Sequence, residues 1–158
     1  MTQPQPTSDR QVRLQKIYVA DASVEVPDGP KVFAGAWQPK IDVDLNFSVR
    51  DLGAARHLVC LQITVTASSA ATTAYVVQVE QVGLFQLAGF DQTAERQRVL
   101  GVYCTGILFP YARETVGDLV QRAGFPHFLL QPMDFEDLYQ RHLDAQQREP
   151  SPARERSH

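Results

Sequence analysis

Residues 41–49 read Ile-Asp-Val-Asp-Leu-Asn-Phe-Ser-Val, apolar and polar in strict alternation. Successive side chains on a strand point to opposite faces. The run therefore predicts a β-strand with Ile41, Val43, Leu45, Phe47 and Val49 on one face and Asp42, Asp44, Asn46 and Ser48 on the other. Leu58–Ala67 is rich in Val, Ile, Leu and Thr, with Val59, Leu61, Ile63 and Val65 forming its more apolar face. Thr73–Val82 follows a short Ser/Ala/Thr turn and predicts a hairpin with it. Val12–Val26 is a fourth strand. Short links between consecutive strands imply an antiparallel meander.

Beyond residue 90 the period changes. Val116, Leu119, Val120 and Ala123 recur at helical spacing and end at Gly124, with Pro126 just beyond. Phe135, Leu138, Tyr139, His142 and Leu143 repeat the same pattern behind Asp134, which is placed to cap the first turn. A weaker helical pattern covers about Thr93 to Tyr103. Strands first and helices afterwards is the α+β order. Pro27–Lys40 breaks the periodicity: it carries three prolines and two glycines, yet also Val32, Phe33 and Trp37. A loop of that length with large apolar residues either buries them on its own core or forms one wall of an apolar groove.

The polar ends, Met1–Gln11 and Asp144–His158, hold few apolar residues and two prolines each, so ordering them would bury little surface. Three segments are expected: a disordered tail over 1–11, one folded domain over 12–143 and a disordered tail over 144–158. Acidic residues outnumber Lys and Arg by 18 to 15, for a formal net charge of -3. That balance disfavours a binder of nucleic-acid backbones. The start of the chain lacks a secretory signal pattern and no run is apolar enough to cross a bilayer, so a cytoplasmic protein is expected.

Catalytic patterns are absent. There is no nucleophile elbow, phosphate-binding loop, dinucleotide fingerprint or HExxH pair. The four histidines and the two cysteines, Cys60 and Cys104, have no metal-ligand spacing. Asp42 and Asp44 read as a solvated strand face. Neither an enzyme nor a bound cofactor is expected.

One string is distinctive: Val99–Glu114, VLGVYCTGILFPYARE. It resembles the hallmark segment of the SecB family of protein-export chaperones, L-G-x-Y-C-x-x-x-L-F-P-Y-A-R-E. Further pieces fall in the family's order, among them Ile17–Glu25, Val32-Phe33, Trp37-Gln-Pro39, Thr64–Ser68, Gly83-Leu-Phe85, Gly124-Phe-Pro126 and Asp134-Phe135. The resemblance implies a four-stranded antiparallel sheet with helices packed on one side and a long crossover loop, here Pro27–Lys40, between strands 1 and 2. It also implies a cytosolic, ATP-independent holdase that keeps precursor proteins unfolded and delivers them to the SecA motor, assembled as a homotetramer from two dimers.

Residue roles follow from the same resemblance. A client groove is expected from Val32, Phe33 and Trp37, with Ile41, Val43 and Leu45 as sheet-side lining; ordinary core is the alternative for those three. Asp21, Glu25 and Val76 match positions that receive SecA's basic, zinc-bearing tail, the zinc belonging to the partner. Gln78 stands where relatives commonly carry Glu, which removes one charge from that patch. Val77, Val79 and Gln81 match positions that influence assembly of dimers into tetramers. Two other readings stay open: a domain binding a small apolar ligand in a closed cavity, and a SecB-like chaperone dedicated to one client.

Overall fold

The computed structural model describes residues 9–148. Four long strands form one antiparallel sheet: β1 (Gln11–Glu25), β2 (Pro39–Gly53), β3 (Arg56–Ser69) and β4 (Thr72–Ala88). Their order is β1-β4-β3-β2, so β1 and β2 are the two edges. The expected meander therefore holds only for β2, β3 and β4; between β1 and β2 the chain crosses from one edge to the other, as the resemblance implied. That crossing carries a short helix, α1 (Gly29–Ala34), so the segment expected as a loop is partly helical. Pro30 in its first turn suits this, since an N-terminal helical N–H has no intrahelical partner anyway.

Both hairpins turn through two alanines. Ala54 and Ala55 join β2 to β3, Ala70 and Ala71 join β3 to β4, and all four have positive φ between 52° and 61°. Such turns match the twist of the strands they join, but a Cβ makes the left-handed region costly, and Asn or Gly is the common solution.

One face of the sheet is covered. Val59, Leu61, Ile63, Val65 and Ala67 of β3 and Tyr75, Val77, Val79 and Phe85 of β4 are buried there. The cover is helical from Thr93 to Arg122: α2 (Thr93–Arg98), a π-helical turn (Val99–Cys104) and α3 (Thr105–Arg122) run on without a break. The two separate helical stretches expected from periodicity are thus one rod. Leu108, Ala112, Val116 and Val120 of α3 face the core. At the end of the π turn the Thr105 hydroxyl lies 2.6 Å from the Gly101 carbonyl and 3.1 Å from that of Val102, giving this buried side chain its hydrogen-bond acceptor within the helix.

Gly124, with φ of 91°, ends this rod, and α4 (Phe135–Arg148) follows. Asp134 caps α4 as its position predicts: its Oδ1 accepts the Asp137 amide at 3.2 Å. The boundary expected after Leu143 falls inside this helix. Pairs four residues apart carry it onward, with Arg141 beside Asp137, Gln140 beside Asp144 and Gln146 beside His142. At the other end Gln11 is already paired in β1, opposite Ala88. The outer parts of both expected tails, residues 1–8 and 149–158, lie outside the described residues.

Candidate functional site

The crossover is held by aromatic stacking. Phe33 and Trp37 both meet Phe125, with ring centroids 4.8 and 5.0 Å apart, and Tyr75 lies 4.9 Å from Phe125 on the side of the core. Gly124 makes the approach of Phe33 possible, because a side chain there would come within 3.3 Å of the Phe33 ring. Ser69 ties down the same stretch: it accepts from the Gln38 amide and donates to the Ala36 carbonyl, each at 3.2 Å. Val32 and Trp37 are half-buried against the core, whereas Phe33 keeps 51% of its surface exposed. Of the expected groove residues of the crossover, Phe33 and Trp37 share Phe125, and Val32 packs against the core. Periodicity could not find Phe125 and Tyr75, which come from distant elements.

Ile41, Val43 and Leu45 share the helix-facing side of β2, opposite Ala67, Val65 and Ile63. Leu45 is core at 7% exposure, which settles it as the ordinary alternative. Val43 is 38% exposed and Ile41 is half-buried, so the apolar side of this edge strand reaches solvent around a buried centre. Further along the same side, Phe47 and Val49 enter a cleft of about 470 Å³ bounded by Leu100, Arg96, Tyr139 and His142. The His142 ring stacks 4.5 Å from Phe47. His57 lines this cleft too; burial pushes its pKa down, Asp51 opposes that and Arg96 adds to it.

The other face of the sheet carries no helix and is ordered by charge. Strand register sets its residues in cross-strand rows. At one end stand Arg13 with Arg56, then Lys16 with Arg50. The middle row holds Tyr18, Val82, Cys60 and Ser48. At the other end come Asp21 opposite Glu80, then Gln78 in line with Asp44, then Glu25 opposite Val76 in line with Asp42. Asp21, Glu25, Val76 and Gln78 are thus brought onto one face, with Val76 half-buried and the others exposed. Asp44, expected as part of a solvated strand face, and Glu80, not singled out from the sequence, lie in a depression with Asp21 and Gln78. Strand alternation held the signal for both, since Glu80 shares its face with Gln78.

Val77, Val79 and Gln81 sit on the covered face at 0, 1 and 3% exposure. The covering helical layer buries them, so they present no surface for direct contact with a neighbouring chain, contrary to their expected place in an oligomer interface. The Gln81 side-chain amide donates to the Tyr18 carbonyl at 3.1 Å, beside the irregularity between Val19 and Asp21 where β1 bulges. Its Oε1 has no partner among the described residues. The thiols are set against reactivity: burial drives Cys104 up to about 12, and burial with the nearby Glu80 charge raises Cys60. Among the described residues no group of three His, Cys, Asp or Glu side chains could hold a metal ion, and no helix is long and apolar enough to cross a membrane.

A sheet with helices banked on one face, a crossover pinned by aromatics and an open, charged second face defines a SecB-like chaperone fold. Comparison with solved structures agrees: a SecB-like chaperone from Mycobacterium tuberculosis, solved with a ChAD peptide from an antitoxin, superposes with a TM-score of 0.65. At 20% identity it covers 78% of this chain and 91% of that one, and speaks for the fold alone. Residues 5–146 match the family described as Preprotein translocase subunit SecB. Protein-export protein SecB of Alkalilimnicola ehrlichii is 45% identical over 134 residues, 85% of this chain and 71% of the relative. That of Methylococcus capsulatus is 40% identical over 153 residues, 97% of this chain and 98% of the relative. The chain belongs to the SecB family and is a preprotein-binding export chaperone.

Proposed function

We propose that this chain is a nucleotide-independent holdase that binds unfolded precursors through the crossover aromatics and the open side of β2, then delivers them to SecA. The observation that carries the reading is Phe33, held half in solvent on a fixed platform of Phe125, Trp37 and Tyr75. A rigid, exposed aromatic is a good anchor for many sequences, because it offers contact area without dictating a partner's shape. Val43 and Val49 extend apolar surface along the same side of β2.

The acidic rows suit a cationic partner tail. Gln78 removes one charge there, and Glu80, one turn of the pleat away on the same face, returns one. Exposed Tyr103 and Tyr111 on the outer side of the long rod support packing of dimers into a tetramer, and the working compartment is the cytoplasm. No nucleotide, metal or cofactor takes part in this scheme.

Refolding of a slow-folding precursor should be arrested by stoichiometric protein without ATP. Trp37→Ala should weaken client binding by about five- to thirty-fold, the range for loss of an aromatic anchor, and Phe33→Ala, which changes an exposed side chain, should do the same with little loss of stability. Unchanged refolding with the unmodified protein would sink the holdase reading.

A further inference from the structure

On the open face, charges of one sign are grouped instead of paired with the other. Opposite charges across neighbouring strands stabilise a sheet by about 0.2–1 kcal/mol, and like charges directly opposite destabilise it. Here Asp21 faces Glu80, while at the far end Arg13 and Arg56 flank Gln86, and Lys16 and Arg50 flank Leu84 and Leu58, all four cations exposed. The four ion pairs among the described residues involve none of these six side chains. Chain stability gives no reason for this segregation, which builds a bipolar surface.

We propose that the basic rows are the second half of the partner-docking surface, and that they take an acidic stretch of the same polypeptide that lays a cationic stretch on the acidic rows. The acidic half rests on the cationic-tail reading above; the basic half goes beyond it. Gln78 and Gln86 lie about 27 Å apart at ~3.4 Å per residue, while the nearest rows of the two zones, those of Glu80 and Leu84, are about 14 Å apart, so four to eight extended residues span the gap. A polyanion such as nucleic acid fits less well, because any length that passes the middle row meets the repelling acids. A bipolar segment gains at both ends, and reversing its order is penalised at both, so the surface fixes direction as well as affinity.

The test uses the full chain and three labelled peptides: a run of Lys and Arg, a run of Glu and Asp, and the two joined by a flexible linker of about eight residues, read by fluorescence anisotropy at low salt. The joined peptide should bind at least about tenfold more tightly than the cationic run alone, since the second contact is intramolecular. Replacing Arg13, Lys16, Arg50 and Arg56 by Gln should abolish that gain and leave the cationic run bound at least as tightly. The pair Arg13→Gln and Arg56→Gln should lose part of it, should the fourfold variant fold poorly. A joined peptide that gains nothing, a gain that survives the fourfold change, or a single-stranded oligonucleotide that outcompetes the joined peptide would each overturn the proposal. If even the cationic run fails to bind the unmodified protein, the cationic-tail reading falls and this proposal with it; if it binds and only the gain is missing, this proposal alone falls.

Discussion

Leu61 and Gln62 are neighbours in β3 and live in different worlds. Leu61 is fully buried beneath the helical rod; Gln62 is exposed and donates to Glu80 at 3.0 Å on the open face. The covered face is mostly apolar and close-packed, and its residues are chosen by volume, with Gln81 and His57 as the polar exceptions. The open face has charged rows at its two ends, with Val82, Leu84, Leu58 and Cys60 between them. Stability is concentrated on the covered side, and the crossover aromatics and the edge of β2 border that core. Changes on the open face should therefore spare stability, whereas changes at the half-buried part of the crossover touch both properties.

The largest test of that division is a pair of substitutions. Leu61→Ala should cost about 2–5 kcal/mol in chemical denaturation, whereas Gln62→Ala should stay within about 0.5 kcal/mol. Equal costs would mean that the open face is buried in the working assembly.

A middle-sized effect is expected at His57, a titratable group on the covered face. Burial lowers its folded-state pKa below the ordinary ~6.5, so the unfolded chain takes up the proton more readily. Its contribution to stability is fully present above about pH 6.5 and is lost as pH falls below that value toward the folded-state pKa. Melting temperatures measured from about pH 7.5 down to 5 should fall more steeply for the unmodified protein than for His57→Gln; parallel curves would remove His57 as the cause. Smallest of all, Asp21→Asn on the open face should raise stability by a few tenths of a kcal/mol by relieving repulsion from Glu80, while weakening a cationic peptide. A variant that loses stability would show that Asp21 is there for the fold.

Much of this was readable before any coordinates. Two-residue alternation set the faces of β2 and β3, because one face of each had to be apolar throughout. Asp134 announced α4 through a cap that acts within three residues. What stayed hidden depends on contacts across long sequence separations. Phe125 looks like an ordinary residue after a helix until Phe33, Trp37 and Tyr75 are brought around it. Gln81 is polar and reads as a surface residue, but its strand face is covered, so it is buried at the β1 bulge. The turns at Ala54-Ala55 and Ala70-Ala71 were also masked, since nothing in a pair of alanines signals the left-handed conformation they hold. The recognisable string Val99–Glu114, finally, covers the π turn and much of α3, yet the string by itself does not disclose that α2 and α3 are one rod.

That rod has a consequence in phase. Each residue of a helix advances it by about 100°, and a π turn accommodates one residue more than an α turn does. The stretch Val99–Cys104 therefore shifts by one position which residues of the sequence fall on the inward face. The inward stripe of α3 lies over the centre of the sheet, while Thr93, Arg96 and Gln97 of α2 come round to the cleft beside Phe47 and His57. Removing a single residue between Val99 and Cys104 would let a uniform helix form with both halves keeping their present faces, because the widened turn is what absorbs that residue. The rod thus carries one residue more than its path over the sheet requires without turning either half off the surface it covers.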